Sequence, residues 1–244
     1  MLKRRPQLFL PKISSALISS AWIITVFTML EARQLQQLTL FYSVTAPFII
    51  LLGVFVPLMT AEMIRNHERK GLLKYSFIKT LKNWRKVLGM TFLTLMLVFT
   101  VSIPSILGFT GYWFSGNSLI GFTGVALSFL LLLATGFLIY FLPISVLAED
   151  TVISGIRSSM NTSLENRREV SVLMILSLSL FLLAFASQGL VRGLGLAAFI
   201  AGRIISATVT TYTFVVSPNY YLKEKEAEKD EEKTVKQDSR EDNE

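Results

Sequence analysis

The chain has 244 residues, 52% hydrophobic and only 17% charged, with a formal net charge of +7 and a mean hydropathy of +0.53. Residues 222–244 hold 6 of the 24 basic and 10 of the 17 acidic side chains, which leaves 18 basic and 7 acidic in the first 221 positions. That is roughly 11% charged, against about 25% in a soluble domain. It excludes a soluble enzyme, a disordered chain and a nucleic-acid-binding domain, and it points to a multi-span membrane protein.

A spanning helix needs about 20 mostly apolar residues. Six stretches qualify: 13–30, 38–63, 87–107, 118–148, 170–190 and 193–216. Lys3, Arg4 and Arg5 precede the first, but Thr28-Met29-Leu30-Glu31 is no small-x-small cleavage pattern, so the stretch reads as an uncleaved helix. The second and fourth are longer than the hydrocarbon requires, so they should tilt or run into the interface. The turn Gly108–Asn117 is uncharged and carries Tyr112, Trp113 and Phe114, as a turn in an aromatic belt would.

Six spans put both termini on one side. That side holds Lys3, Arg4, Arg5 and Lys12, eight basic residues between the second and third spans, Arg157, Arg167 and Arg168, and six in the tail, 21 in all. The other side holds Arg33 and Arg192. The positive-inside rule then makes the termini cytoplasmic and the compartment the cell membrane.

Two inner segments should be more than connectors. From Gly71 to Leu88, the residues Leu73, Phe77, Leu81, Trp84 and Leu88 recur every three or four positions, with Lys70, Lys74, Lys82 and Lys86 on other faces. This predicts an amphipathic helix on the inner surface, with Lys70, Lys74, Lys82, Arg85, Lys86 and Trp84 at the anionic leaflet. Simple positive-inside topology with no specific lipid accounts for the same charges. A weaker stripe (Ile153, Ile156, Met160, Leu164) marks a second such helix over 151–168, with Asp150 as its expected N-cap.

These two segments read as parts of an internal repeat, about 40–107 and 125–190, with convergence of two inner loops under similar interfacial constraints as the competing reading. Phe55-Val56-Pro57 precedes Ala61-Glu62, as Phe141-Leu142-Pro143 precedes Ala148-Glu149. Downstream, with one gap, Gly71 aligns with Gly155, Lys74 with Arg157, Ser76 with Ser159, Leu81 with Leu164, Asn83 with Asn166, Arg85 with Arg168 and Val87 with Val170. Each unit reads as a descending helix, a proline, a carboxylate, an interfacial helix and an ascending helix. The units are parallel, with an axis along the membrane normal. Phe214-Val215-Val216-Ser217-Pro218 hints at a third, circularly permuted unit.

Pro143 to Asp150, Gly155-Ile156-Arg157-Ser158-Ser159 and Arg167-Arg168 resemble a motif of a broad group of prokaryotic membrane proteins. The group includes uncharacterised six-helix archaeal families and the membrane-embedded domain of some glycerophosphodiester phosphodiesterases. The resemblance spans about residues 40–190 and implies an all-helical membrane domain without an assigned activity. The phosphodiesterase activity itself is not implied.

Arg203 lies near the centre of the last span, where a charge costs about 2.5–3.5 kcal/mol. Arg192 is three turns earlier on the same face, and Ser206, Thr210 and Thr213 continue a polar stripe inward. A buried cation for an anionic substrate, headgroup or carboxylate is the functional reading. Two structural ones compete: a span shifted to 203–222 with a re-entrant segment before it, or a cation satisfied by helix carbonyls. Small residues at Ala198, Gly202, Ser206 and Thr210 permit close packing within the monomer or in a dimer. Glu62 and Glu149, at matching inner ends, are candidates for proton or cation coupling. Pairing with Arg65, Arg69 or Arg157, or exposure to water, is the simpler expectation.

The chain has no cysteine and one histidine, His67, in a polar turn; nucleotide-loop, catalytic-triad and metalloprotease motifs are also missing. No cofactor, metal or nucleic acid is therefore expected. Residues 222–244 are charged, low in complexity and expected to be disordered beyond a short helical extension. The sequence thus predicts an all-α six-helix bundle with two interfacial helices, acting without catalysis as a scaffold or accessory subunit. Its expected partners are the anionic inner leaflet and a membrane-protein partner or second copy. A small transporter or permease component with a polar site around Arg203 is the alternative.

Overall fold

The computed structural model describes residues 6–191 and 196–241, with side chains at all of these except 181, 183–191, 213 and 225–241. Lys3, Arg4, Arg5 and Arg192 lie outside the described residues. In hydrocarbon a backbone must satisfy its own N–H and C=O groups, and a single segment does so only as a helix. Every element among the described residues is helical.

After a short 3-10 turn at Pro6–Phe9 come α1 (Leu10–Glu31), α2 (Leu35–Arg65), α3 (Leu72–Lys82), α4 (Trp84–Ser115) and α5 (Ser118–Leu138). Then follow α6 (Leu142–Ala148), α7 (Val152–Glu165), α8 (Arg167–Val191) and α9 (Leu196–Glu241). Five segments are long and apolar enough to cross a membrane: Pro6–Glu31, Leu35–Arg65, Trp84–Ser115, Ser118–Ala148 and Leu196–Glu224. The stretch 170–190 falls in α8, whose side chains beyond Leu180 lie largely outside the described ones.

Four boundaries differ from the sequence reading, each for a local reason. The helix expected over 71–88 is two helices, because Asn83 leaves the helical region (φ −87°, ψ 29°); Trp84 to Leu88 open α4 instead. The stretch 118–148 is broken at 139–141: Pro143 has no N–H to continue the ladder, and the Leu142 N–H bonds to the Ile139 carbonyl at 2.9 Å. The N-cap of α7 is Thr151 rather than Asp150, in a reciprocal capping box with Ser154. Residues 222–241 continue α9 as helix rather than irregular chain; their Lys, Glu and Ala content favours helix.

The core sits at the basic end of the bundle. Val54, Leu58 and Ala61 of α2 meet Val87 and Met90 of α4, Phe141 to Leu147 around α6, Val170 of α8 and Tyr221 of α9. A second cluster joins Leu8, Met59, Met63, Ile64, Leu72 and Val215. At the opposite end, α4 turns into α5 through Gly116 (φ 67°), and the Asn117 side chain accepts the Leu119 N–H at 3.0 Å. This hairpin closes on glycine: a Cβ on Gly108 would lie 2.8 Å from the Gly124 Cα. Its outer faces expose Phe99, Phe109, Trp113, Phe114 and Phe122, as surfaces in lipid do.

Candidate functional site

Three places gather the polar groups that an apolar bundle should otherwise exclude. The first is the α2–α3 junction. Glu62 is 1% exposed; its Oε1 pairs with the Lys79 ammonium and accepts from Asn66 Nδ2 at 2.7 Å. Among the described residues its Oε2 has no hydrogen-bond partner, nor do the Ser76 and Thr80 hydroxyls on the buried face of α3. The partner of Glu62 is thus Lys79, one helix further on, and neither Arg65 nor Arg69. Arg65 instead donates to the Leu147 carbonyl (3.0 Å), while Arg69 stacks on the Tyr75 ring at 4.0 Å.

Glu149 behaves differently from Glu62. It is half-buried at the C-terminal end of α6, and its carbonyl accepts from Lys86 Nζ at 2.6 Å. Arg65 and Lys86 therefore cap the end of α6, where free carbonyls and the helix dipole favour cations. Lys86, expected at the lipid surface, is engaged inside the fold. Lys70, Lys74, Lys82, Arg85 and Trp84 are exposed. So are Phe77 and Leu81, while Leu72, Ser76 and Thr80 face the core. The apolar stripe of α3 thus lies alongside α2, with Phe77 edge-on to Phe55 at 5.4 Å, while leaving much of Phe77 and Leu81 open. His67 sits in the turn after α2, with Nδ1 3.2 Å from the Ile64 carbonyl and Nε2 3.8 Å from Glu68.

The second place is the seam between α1 and α9. Arg203 donates from Nη2 to the Ser19 hydroxyl (2.8 Å) and from Nε to the Ser20 hydroxyl (3.3 Å). Ser20 is near the midpoint of α1, about 20 Å along the axis from Arg33 at 1.5 Å per residue. Among the described residues no carboxylate lies within ion-pair distance of Arg203. The antiparallel register continues where Lys12 Nζ sits 4.3 Å over the Phe214 ring and Phe9 meets Tyr212 edge-on. α9 is continuous from Leu196, so residues 196–202 are helix leading into Arg203. Gly202 of the anticipated stripe is buried, and beyond it the buried small residues are Ala207 and Thr211, one position past the anticipated Ser206 and Thr210. Ser206 and Thr210 are half-buried, and Thr210 donates to the Ser206 carbonyl at 2.8 Å.

The third place is a cavity of about 200 Å³ where Pro57 of α2, Pro143 of α6 and Pro218 of α9 meet. Its polar groups are satisfied locally: the Tyr140 hydroxyl lies 3.0 Å from Ser177 Oγ, and Ser217 Oγ donates to the Tyr140 carbonyl at 2.9 Å.

Sequence reasoning missed Lys79, Asn66, Ser19, Ser20 and Tyr140. A signal existed for the serines: Ser14-Ser15 and Ser19-Ser20 are paired hydroxyls in an otherwise apolar span. Lys79 gave none, since its spacing from Glu62 has no meaning before α3 folds back on α2. No protein-family model, characterised protein or solved structure matches the chain.

Proposed function

We propose that the protein is a six-span integral membrane protein of the cell membrane, with both termini cytoplasmic, built on a duplicated helix–interfacial helix–helix unit. It acts without catalysis, as a scaffold or accessory subunit for other membrane components. Arg203 carries this reading. The one cation near mid-membrane among the described residues is spent on tying α9 to Ser19 and Ser20 of α1. That is what a group kept for structure does. The apolar faces of the α4–α5 hairpin support the same reading, since they offer area to a partner helix or a second copy.

The alignment of the two units is supported by paired features. Asn83 and Asn166 both break the helix before the ascending span, Ser76 and Ser159 are both fully buried, and Val87 and Val170 both enter the core. Likeness to six-helix archaeal membrane proteins fits this architecture and brings no activity with it.

A transporter remains the second reading, favoured by the cavity among the three prolines. Purification of tagged protein in mild detergent tests the first: a partner subunit or second copy in fixed ratio is expected. A lone monomer that moves solute in vesicles overturns it. Cysteines placed at 203, 206 and 210 are expected to resist membrane-impermeant thiol reagents from both sides. Labelling at all three favours transport.

A further inference from the structure

We propose that the groove between α2, α3 and α4 is a binding site for one anionic phospholipid of the basic-side leaflet. Its acyl chain lies in the groove and its phosphate on Lys74, Lys82 and Arg85. The groove has a volume of about 400 Å³ and an almost wholly apolar lining that includes Phe48, Leu52, Phe55, Phe77, Leu81 and Trp84. Its floor is α3, which turns Ser76 and Thr80 to the core and Phe77 and Leu81 outward. The Asn83 break then swings Trp84 and Leu88 onto the opposite wall. Such a recess is too apolar to hold water and lies where an acyl chain begins.

The cations around it are sorted by their partners. Lys79 is held by Glu62 and Lys86 by the Glu149 carbonyl, so both are occupied. Lys74, Lys82 and Arg85 are exposed and have no carboxylate within 4 Å among the described residues. Lys74 shares a helix face with Phe77, Ile78 and Leu81, at spacings of three, four and seven. Lys82 follows Leu81, and the Arg85 guanidinium sits 5.9 Å from the Trp84 ring centroid. An apolar slot whose lining residues Phe77, Leu81 and Trp84 share a helix face with, or directly precede, three exposed cations matches an anionic amphiphile, since the leaflet supplies both parts in one molecule.

The second unit separates this site from general surface charge. Residues 70–88 hold six basic side chains and no acidic one. Residues 152–170, at the same place in the other unit, balance Arg157, Arg167 and Arg168 with Glu165 and Glu169. Positive-inside topology needs both segments at the same face, but it does not require one to be purely cationic and the other mixed.

Trp84 reports on the groove directly. The test uses full-length protein with Trp22→Phe and Trp113→Phe, in phosphatidylcholine vesicles in which one lipid in five carries brominated chains. Brominated phosphatidylglycerol is expected to quench Trp84 about twofold more than brominated phosphatidylcholine at the same mole fraction. The excess is expected to vanish in K74Q/K82Q/R85Q and to persist in R157Q/R167Q/R168Q. Equal quenching by the two lipids in the parent overturns the proposal, as does loss of the excess in both triple variants. Abolition of the excess by inorganic phosphate would assign the cations to a free anion. Quenching that falls as protein crowds the bilayer would assign the groove to a second copy; either result also overturns it. Should the tryptophan replacements disturb folding, native mass spectrometry of the unaltered chain and its K74Q/K82Q/R85Q variant supplies the same comparison. One retained phosphatidylglycerol is expected for the former and none for the latter; equal retention overturns the site.

Discussion

The α2–α3–α4 and α6–α7–α8 junctions share seven similar residues in order with one gap, yet they solve a like packing problem with different chemistry. In both, a short helix lays a face of small hydroxyl residues on its neighbours: Ser76 and Thr80 in one, Ser159, Thr162 and Ser163 in the other. In both, an asparagine ends it. The glycines at their starts, Gly71 and Gly155, serve unlike ends. Gly71 adopts φ 66° and has open space where a Cβ would be. A Cβ on Gly155 would lie 2.7 Å from the Val146 Cα. The carboxylates diverge further, since Glu62 is buried against Lys79 while Glu149 contributes its carbonyl to Lys86. Similar backbone geometry can thus carry different arrangements of charge, and Arg65 and Lys86 of the first junction stabilise a helix end in the second.

The sharpest break of this comparison is at the buried pair. Lys79→Met leaves the Glu62 carboxylate without its cation, and we expect a loss of about 3 kcal/mol. Lys79 is itself 33% exposed, so water entry softens the cost. Glu149→Gln is expected to cost less than about 0.5 kcal/mol. Thermal unfolding of the two variants in one detergent measures the contrast; equal losses would refute the asymmetry. Next in size, Gly155→Ala is expected to cost about 2 kcal/mol through overpacking against α6. Gly71→Ala should cost about 1 kcal/mol through its left-handed backbone.

Lys86→Met tests the link between the two junctions. Removing one of two cations from the end of α6 is expected to cost about 1 kcal/mol. Hydrogen exchange should rise at the end of α6 and stay unchanged at the end of α2. The smallest effect lies away from the junctions. A double-mutant cycle of Arg203→Met with Ser19→Ala should return a coupling of about 0.6 kcal/mol, the average for hydrogen bonds between membrane helices. A coupling of zero would mean that the Arg203–Ser19 bond does not fasten α9 to α1.

Much of the fold was legible because its cause is local. Apolar length marked the five long segments, and Pro143 and Asn83 stand where the helices break. Their effect was harder to anticipate, because a proline can begin a helix, bend one or divide one, and the choice depends on what packs nearby. Pro57 remains inside α2, whereas Pro143 begins a new helix after a turn. The candidate site was less legible. The cations of α3 could be read from spacing, but Lys86 faces inward because α6 ends within reach of it, and α6 arises from a distant part of the chain.

By itself the sequence determined the helical class, the apolar lengths and the segregation of basic residues, for these follow from composition and from short-range periodicity. Tertiary structure alone decided that Lys79 answers Glu62, that Arg203 reaches Ser19 and Ser20, and that three prolines from separate helices enclose one cavity. Each of those contacts depends on how far one helix slides and rotates against another. Packing many side chains at once sets that slide and rotation, and no single span carries the information.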